Sequence, residues 1–391
     1  MGRPARPCPF SPPMTITDHR VQGLSNDEVA ADWPPISDAE VHWLRNGYPQ
    51  LQGDCRVAWH SPRPLSAAAL IESRRGQVFI KRHHRSVRTA AMLREEHRFI
   101  EHLASAGLPV VQPLRDRTGE TAIEHGAWSY ELQALGTGED LYRDAPSWTP
   151  LTDLGQAWEA GRTLAGLHQA SAGYHASQRS THLLVARDDL IRAADPVAAL
   201  KQQLADRPGL ASYLSLQPWE DDLRRCVLPW HTGLAQRLQA EPRLWAHNDW
   251  HVSNLLWSRR NGVTTVGTVL DFGLASPTSA LFDLATAVER NAVAWLQIDS
   301  RDDIARADTA LALLDGYRSV LPLSAQRIQL MADLLPVVHL DFALSEIEYF
   351  QGVTGSTANA DVAYHAFLLG HAEWFKRADG RRLTDALRAA A

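Results

Sequence analysis

The stretch His247-Asn-Asp-Trp-His-Val-Ser-Asn254 and, one predicted hairpin later, Asp271-Phe-Gly273 decides how this chain reads. Between them Asn254-Leu-Leu-Trp257 has the pattern of a strand, Arg259-Arg-Asn-Gly262 supplies the residues of a tight turn, and Val266 to Leu270 reads as a returning strand. Such a hairpin brings Asn254 and Asp271 together at its open end. An amide oxygen and a carboxylate on a short rigid hairpin suit Mg2+, which takes oxygen ligands and keeps substrate phosphates in its shell. Asp249, on the loop just before, is placed to accept the proton of an attacking hydroxyl. Phosphoryl transfer asks little more of a protein than positioning and charge stabilisation. Asp-Phe-Gly alone is a common turn after a strand; the joint spacing of Asp249, Asn254 and Asp271 carries the reading.

Upstream, Cys55 to Arg82 alternates apolar and polar residues around the turn signals Ser61-Pro-Arg-Pro64 and Arg75-Gly76, the pattern of a small antiparallel sheet. Thr89 to Ala104 carries apolar residues at Met92, Leu93, Phe99, Ile100 and Leu103, a helical period that ends near Gly107 and Pro109. Two more strands are expected between Val110 and Leu135, and Gly136-Thr-Gly138 reads as an inter-lobe linker. Beyond it Leu151 to Ala170, Asp188 to Ala205, Trp219 to Ala240 and most of Phe282 onward have helical periods, and the spacing of Trp158 to His168 assigns that helix to core packing. The expected organisation is a disordered tail over residues 1–35, a sheet-plus-helix lobe over 36–135 and a larger, mainly helical lobe over 136–391.

Composition agrees. A chain of 391 residues exceeds the roughly 250–300 at which one hydrophobic core stops growing, so two lobes are the default. With 45% hydrophobic and 21% charged residues it can bury a sizeable core. A formal net charge of -6 leaves no excess of cations for a phosphate backbone, which argues against nucleic acid as partner. Cys8, Cys55 and Cys226 are too far apart for a metal or redox pair, which fits a reducing cytoplasm. The Pro- and Arg-rich start lacks the apolar run of a secretory signal, Met14 offers a second translation start, and no segment reads as a membrane helix. Oligomeric state leaves no mark in the sequence.

The His247 to Asp271 arrangement resembles the aminoglycoside phosphotransferase and choline kinase-like superfamily, which shares its fold with protein kinases. The resemblance implies an α+β, two-lobed protein-kinase-like fold and transfer of the γ-phosphoryl group of ATP, with Mg2+. It implies Asp249 as base, with Asn254 and Asp271 holding metal. Asn248 stands where aminoglycoside kinases often have Gly, as in choline kinases, and His251 is similar to the Asp-x-His pattern of homoserine-type kinases. Lys81, closing Val78-Phe-Ile-Lys81, matches the strand lysine that pairs with ATP phosphates, and Glu96, or its neighbour Glu95, is the helix acid expected to hold it. In place of a glycine-rich loop stands Ser61-Pro-Arg-Pro-Leu-Ser-Ala-Ala68, where Ser66 is the candidate phosphate contact. Adenine is expected against the backbone of Leu132 to Ala134. Asp283 matches the acid that braces the catalytic loop, with helix capping as a second role. No Walker-type phosphate loop occurs. His83 and His84 read as a solvated basic turn rather than a metal site, since no third ligand has suitable spacing.

Leu274 to Ser279 leads almost at once into a helix, leaving no room for the long peptide-binding segment of protein kinases, so the expected acceptor is a small hydroxylated metabolite: an amino alcohol, hydroxylated amino acid or aminoglycoside-like compound. Glu289, Glu346, Glu348 and Glu373, near Trp250, Tyr349 and Trp374, are the acids that would meet an amine, although glutamates on helices are usually solvated. Two rivals stand beside this. One is a protein Ser/Thr kinase of the bacterial stress-response type, which Glu95-Glu-His-Arg-Phe99 and His251-x-x-Asn254 also resemble. The other is a non-catalytic nucleotide-binding scaffold, which the intact set Lys81, Asp249, Asn254 and Asp271 opposes.

Overall fold

The computed structural model describes residues 19–24, 27–260, 262–298 and 300–391. Five strands, β3 (Cys55–His60), β4 (Ala67–Ser73), β5 (Gly76–His84), β6 (Ala122–His125) and β7 (Trp128–Ala134), form one antiparallel sheet in the order β3-β4-β5-β7-β6. Its register sets Lys81 on β5 between Ala68 on β4 and Glu131 on β7. Helix α1 (Asp38–Leu44) starts at a capping box in which Ser37 accepts from the Glu40 amide and the Glu40 side chain returns to Ser37. Its Val41 and Leu44 join Ile71, Ile80, Tyr130 and Leu132 in a core on one face of the sheet. Helix α2 (Ala90–Ser105), capped by Thr89, presents Phe99, Ile100 and Leu103 to the other core, which fills the C-terminal lobe. An amphipathic helix thus fastens the small lobe to the large one.

The linker lies against the hairpin formed by β9 (Leu255–Arg260) and β10 (Val263–Val269). Glu139 and Trp257 exchange backbone hydrogen bonds of 2.8 and 2.9 Å, and the Thr137 amide donates to Thr268 Oγ1. Gly138 has φ +115°, and a Cβ there would sit 2.9 Å from the Trp257 carbonyl oxygen, so both conformation and space demand glycine. A short pair, β8 (Leu244–Ala246) with β11 (Ser276–Thr278), closes the loop region before the helix Ala280–Ala292.

Helix α3 (Leu154–Ser171) crosses the helix Ala307–Arg318 at two glycines. A Cβ on Gly161 would overlap the Leu313 carbonyl, and one on Gly316 the Trp158 carbonyl. Gly316→Ala is therefore expected to cost about 1–3 kcal/mol or more, read as a fall of several degrees in the thermal midpoint; an unchanged midpoint would show that the helices can separate freely. Trp158 itself points outward, while His168 on the same helix is buried against Asp283, so the core reading holds for only part of this helix.

The expected disordered tail falls in part on residues 1–18 and 25–26, outside the described residues. Over the rest it is replaced by structure. β1 (Arg20–Gln22) pairs with β2 (Glu28–Ala30). Trp33 stacks on His84 at 5.0 Å, and its indole donates to Tyr349 of the other lobe. The sequence signal was weak there because the apolar anchors Val21, Leu24 and Trp33 follow no helical or strand period. Among the described residues no helix is long and apolar enough to cross a membrane.

Candidate active site

Asp249 lies on a loop whose backbone is held from below. Both carboxylate oxygens of Asp283 accept from it: Oδ2 from the His247 amide at 3.0 Å and Oδ1 from the Asn248 amide at 2.8 Å. His168 Nε2 lies 3.0 Å from Oδ2, and Tyr317 fixes the far side of that imidazole at 2.8 Å. Asp283 does not cap its helix; Ser279 does, accepting from the Phe282 amide. Asn248 has φ +59°, a left-handed conformation that Asn tolerates better than most residues. Its side chain donates to the Ala246 and Ser276 carbonyls and accepts from Thr278, which explains how Asn serves where glycine also would. His247 is buried, and its Nε2 lies 2.8 Å from the Leu270 carbonyl, which can only accept. That fixes the proton on Nε2, and Nδ1 accepts the Asp249 amide.

The hairpin brings Asn254 and Asp271 together as expected: the Leu270 amide donates to the Asn254 carbonyl at 2.8 Å. Asn254 Nδ2 donates to Asp249 at its carbonyl, 2.9 Å, and at Oδ2, 3.1 Å. The amide's oxygen is thereby left for another partner. Asp271 has φ +54°, a strained position for a non-glycine residue of the sort concentrated at functional sites.

Lys81 meets this hairpin, but not through the expected partner. Its Nζ lies 3.0 Å from Asp271 Oδ2. Burial works to raise the Asp271 carboxyl, and the Lys81 charge and hydrogen bond outweigh it, holding the group below its ordinary value. Glu96 is instead paired with Arg179 at 3.1 Å, as is Glu95 at 2.9 Å, and the same guanidinium donates to the Ala275 carbonyl just after Asp-Phe-Gly. The expected Lys81–Glu96 pair is thus replaced by two linked pairs, because a long arginine from the large lobe reaches the helix acids first. Arg179 left no motif by which to find it. The nearest acid across the sheet is Glu131, which also receives His83 and His97. His83 and His84 accordingly lie in strand β5, His83 against buried Glu131 and His84 stacked on the half-buried Trp33, not in a solvated turn.

Ser66 sits one residue before β4, whose Ala68 lies opposite Lys81. In the same loop Arg63 reaches Ser147 at 2.9 Å and the Ala145 carbonyl at 3.3 Å, and its charge is felt at Asp271 and His251. No motif in the sequence marks this cation as part of the site. Two backbone groups of the Leu132 to Ala134 stretch are already engaged: the Leu132 carbonyl accepts from the Leu114 amide, and the Ala134 amide donates to the Gln112 carbonyl. The next residue, Leu135, is exposed.

A family model described as the phosphotransferase enzyme family matches residues 66–323. The chain belongs to that family. An uncharacterised protein of Synechocystis is 24% identical over 279 residues, 69% of this chain and 66% of the relative, so the match spans just under two thirds of that protein. Among solved structures, an amicoumacin kinase in complex with AMP-PNP, Ca2+ and its antibiotic aligns with a TM-score of 0.55 at 14% identity, covering 91% of this chain and 94% of that one. A microcompartment-associated aminopropanol kinase aligns at 0.52 with 19% identity, covering 89% and 98%. At these identities the likeness establishes the fold: the α+β, two-lobed, kinase-like architecture.

In this member of the family a narrow cavity adjoins Asp249 on the large-lobe side. Arg290 is the link: its Nη1 contacts Asp249 Oδ1, and its guanidinium lies 5.0 Å from the Phe342 ring. Glu289, Glu346, Trp148, Trp295, His339 and His371 line the same space. Burial raises the Glu346 carboxyl to about 8 despite Arg290, and the Glu289 carboxyl to about 7; burial lowers His339 to about 4 and His371 to about 3. Of the four acids singled out in the sequence, two therefore face the cavity, buried rather than solvated. Glu348 is spent on Arg207 at 2.6 Å and Glu373 on Lys376 at 2.6 Å, and Trp250 and Trp374 are packed in the core. Glu346 and Glu348 lie two residues apart on one helix, so the helical period sets them on different faces, but it does not tell which face lines a cavity.

Proposed function

We propose that this phosphotransferase moves the γ-phosphoryl group of ATP, with Mg2+, to a hydroxyl of a small molecule that carries an ammonium group. The observation that supports it most is the convergence of Lys81, Asp271, Asn254 and Asp249 beside a cavity holding two buried carboxylates. Asn254 and Asp271 offer the hard oxygen donors that Mg2+ requires, and the Asn254 amide is already turned by its two bonds to Asp249 so that its oxygen is available. When bound, the ion would neutralise charge on the transferring phosphates. Lys81 is the phosphate cation in this reading. Asp249 takes the proton of the acceptor hydroxyl on Oδ1, which Arg290 gives up as the acceptor enters, while Oδ2 stays anchored by Asn254. Ser66 and Arg63 lie on the loop that would cover the phosphates, and adenine would meet the linker from Leu135 on.

Glu346 Oε2 is buried with no hydrogen-bond partner, a costly arrangement unless a donor arrives. An acceptor ammonium is such a donor, and the aromatic walls suit it. Binding needs the ionised carboxylate, so the acceptor KM is expected to fall as pH rises towards about 8. Glu346→Gln is expected to raise KM roughly 10- to 100-fold at higher pH and to flatten this profile. Stability runs the other way. The folded value lies above the usual 4.5, so the native state holds the extra proton across that window and loses stability as pH rises through it, and the substitution removes that slope.

The test is ADP formation across a panel of amino alcohols, hydroxylated amino acids, aminoglycosides, their deaminated analogues and protein substrates. Stimulation by deaminated compounds alone would overturn the ammonium reading; stimulation by proteins alone would favour a protein kinase. No nucleotide turnover with any acceptor would leave a binding scaffold.

A further inference from the structure

We propose that Glu289, His339 and His371 form a second metal site, separate from the hairpin of Asn254 and Asp271, which takes a borderline divalent transition metal such as Zn2+. The three residues come from different elements: Glu289 from the helix Ala280–Ala292, His339 from the residue before the helix Leu340–Tyr349, and His371 from the start of the helix His371–Trp374. Each offers one ligand atom within 4.8 Å of the others, and all three residues are buried. An ion bound at about 2.0–2.2 Å from each lies between them after small side-chain adjustments.

The ring nitrogens are arranged for it. His339 Nε2 lies 3.2 Å from the Leu368 carbonyl, which can only accept, so the proton sits on Nε2 and the Nδ1 lone pair is left. That Nδ1 is buried with no hydrogen-bond partner. Backbone anchoring of the distal N–H is the outer-shell arrangement that orients metal-binding histidines. His371 Nδ1 is buried too, 3.3 Å from Glu289 Oε1 but without hydrogen-bond geometry to it. The His371 ring is held flat against Trp295, with centroids 3.7 Å apart. Two imidazole nitrogens and one carboxylate are a zinc-type donor set that leaves a fourth position open, and the three residues line a cavity of about 20 Å3, room for one ion or water. Burial favours the protonated form of the Glu289 carboxyl, and a bound dication would take that proton's place.

Among the described residues, the other grouping of this kind, Glu96, His97 and Glu131, lacks these features. Both His97 nitrogens are already engaged, by Thr121 at 2.8 Å and Glu131 at 2.8 Å. The proposal concerns metal binding alone and stands or falls apart from the choice of acceptor.

The full-length protein, stripped with a chelator and held in millimolar Mg2+ to satisfy the oxygen-ligand site, is titrated with Zn2+ against a chromophoric competitor. One Zn2+ per chain is expected, with His339→Gln and His371→Gln each weakening it by more than roughly 100-fold, beyond the 10- to 100-fold cost of losing an outer-shell partner. The exposed His365→Gln serves as control and is expected to bind as the unsubstituted protein does. X-ray absorption of the bound Zn2+ counts imidazole nitrogens without relying on any variant, so a variant that fails to fold does not blunt the test. Two nitrogens are expected. No stoichiometric uptake, a count below two, or equal affinity in folded His339→Gln and His371→Gln would overturn the site.

Discussion

Asp249→Asn is expected to lower kcat by about 10^2- to 10^4-fold while leaving nucleotide affinity within a few-fold. Asparagine keeps the shape of the side chain, and its oxygen can still accept from Asn254 Nδ2, now 3.1 Å from Asp249 Oδ2. What it loses is the capacity to take a proton. The substitution also removes the partner of Arg290, but Glu289 and Glu346 remain beside that guanidinium, so the fold is expected to survive. The measurement is steady-state phosphoryl transfer with a stimulating acceptor, alongside nucleotide binding and thermal melting. Turnover that persisted at its original rate would remove Asp249 from the role of base.

Asp271→Asn is expected to be as damaging by a different route. It weakens the oxygen pair that would hold Mg2+, and a metal ion contributes several kcal/mol to stabilising transferring phosphates, so a loss of roughly 10^2- to 10^4-fold in kcat/KM follows at fixed Mg2+. Unlike Asp249→Asn, this loss is expected to be recovered in part by raising the Mg2+ concentration. The substitution also releases Lys81, whose Nζ now rests 3.0 Å from Asp271; Glu131 lies near enough for its charge to hold the lysine. Activity independent of Mg2+ concentration in both proteins would reject Asp271 as a metal ligand.

The two substitutions separate proton transfer from metal binding, and both follow from residues legible in the sequence. Local order is the reason. Asp249, Asn254 and Asp271 lie on one loop and one hairpin, and turn residues at Arg259 to Gly262 with alternating strands fix how such a segment folds back. Lys81 was legible for the same reason, at the end of a strand whose register the Arg75-Gly76 turn sets. The helix over Ala90–Ser105 followed from its period and its Thr89 cap.

The partners of these residues were not legible. Lys81 facing Asp271 rather than Glu96, and Glu96 facing Arg179, depend on how close the lobes stand and on a guanidinium that arrives from a distant loop. Residues 112–114 pair with the strand at Leu132 and Ala134, a contact between segments about 20 residues apart. The cavity is the extreme case. Glu289, Glu346, His339 and His371 are spread over three helical segments, and a helical period tells which face a residue occupies but not what packs against that face.

The sequence by itself determined the two-lobed α+β fold and the loop-hairpin unit that carries Asp249, Asn254 and Asp271, because those depend on turns, caps and periods a few residues long. Only the tertiary structure decided which acid meets which cation and which glutamates stay in a cavity instead of water. Such pairings are set by chain segments far apart in sequence, where burial turns an ordinary glutamate such as Glu346 into one that keeps its proton to about 8.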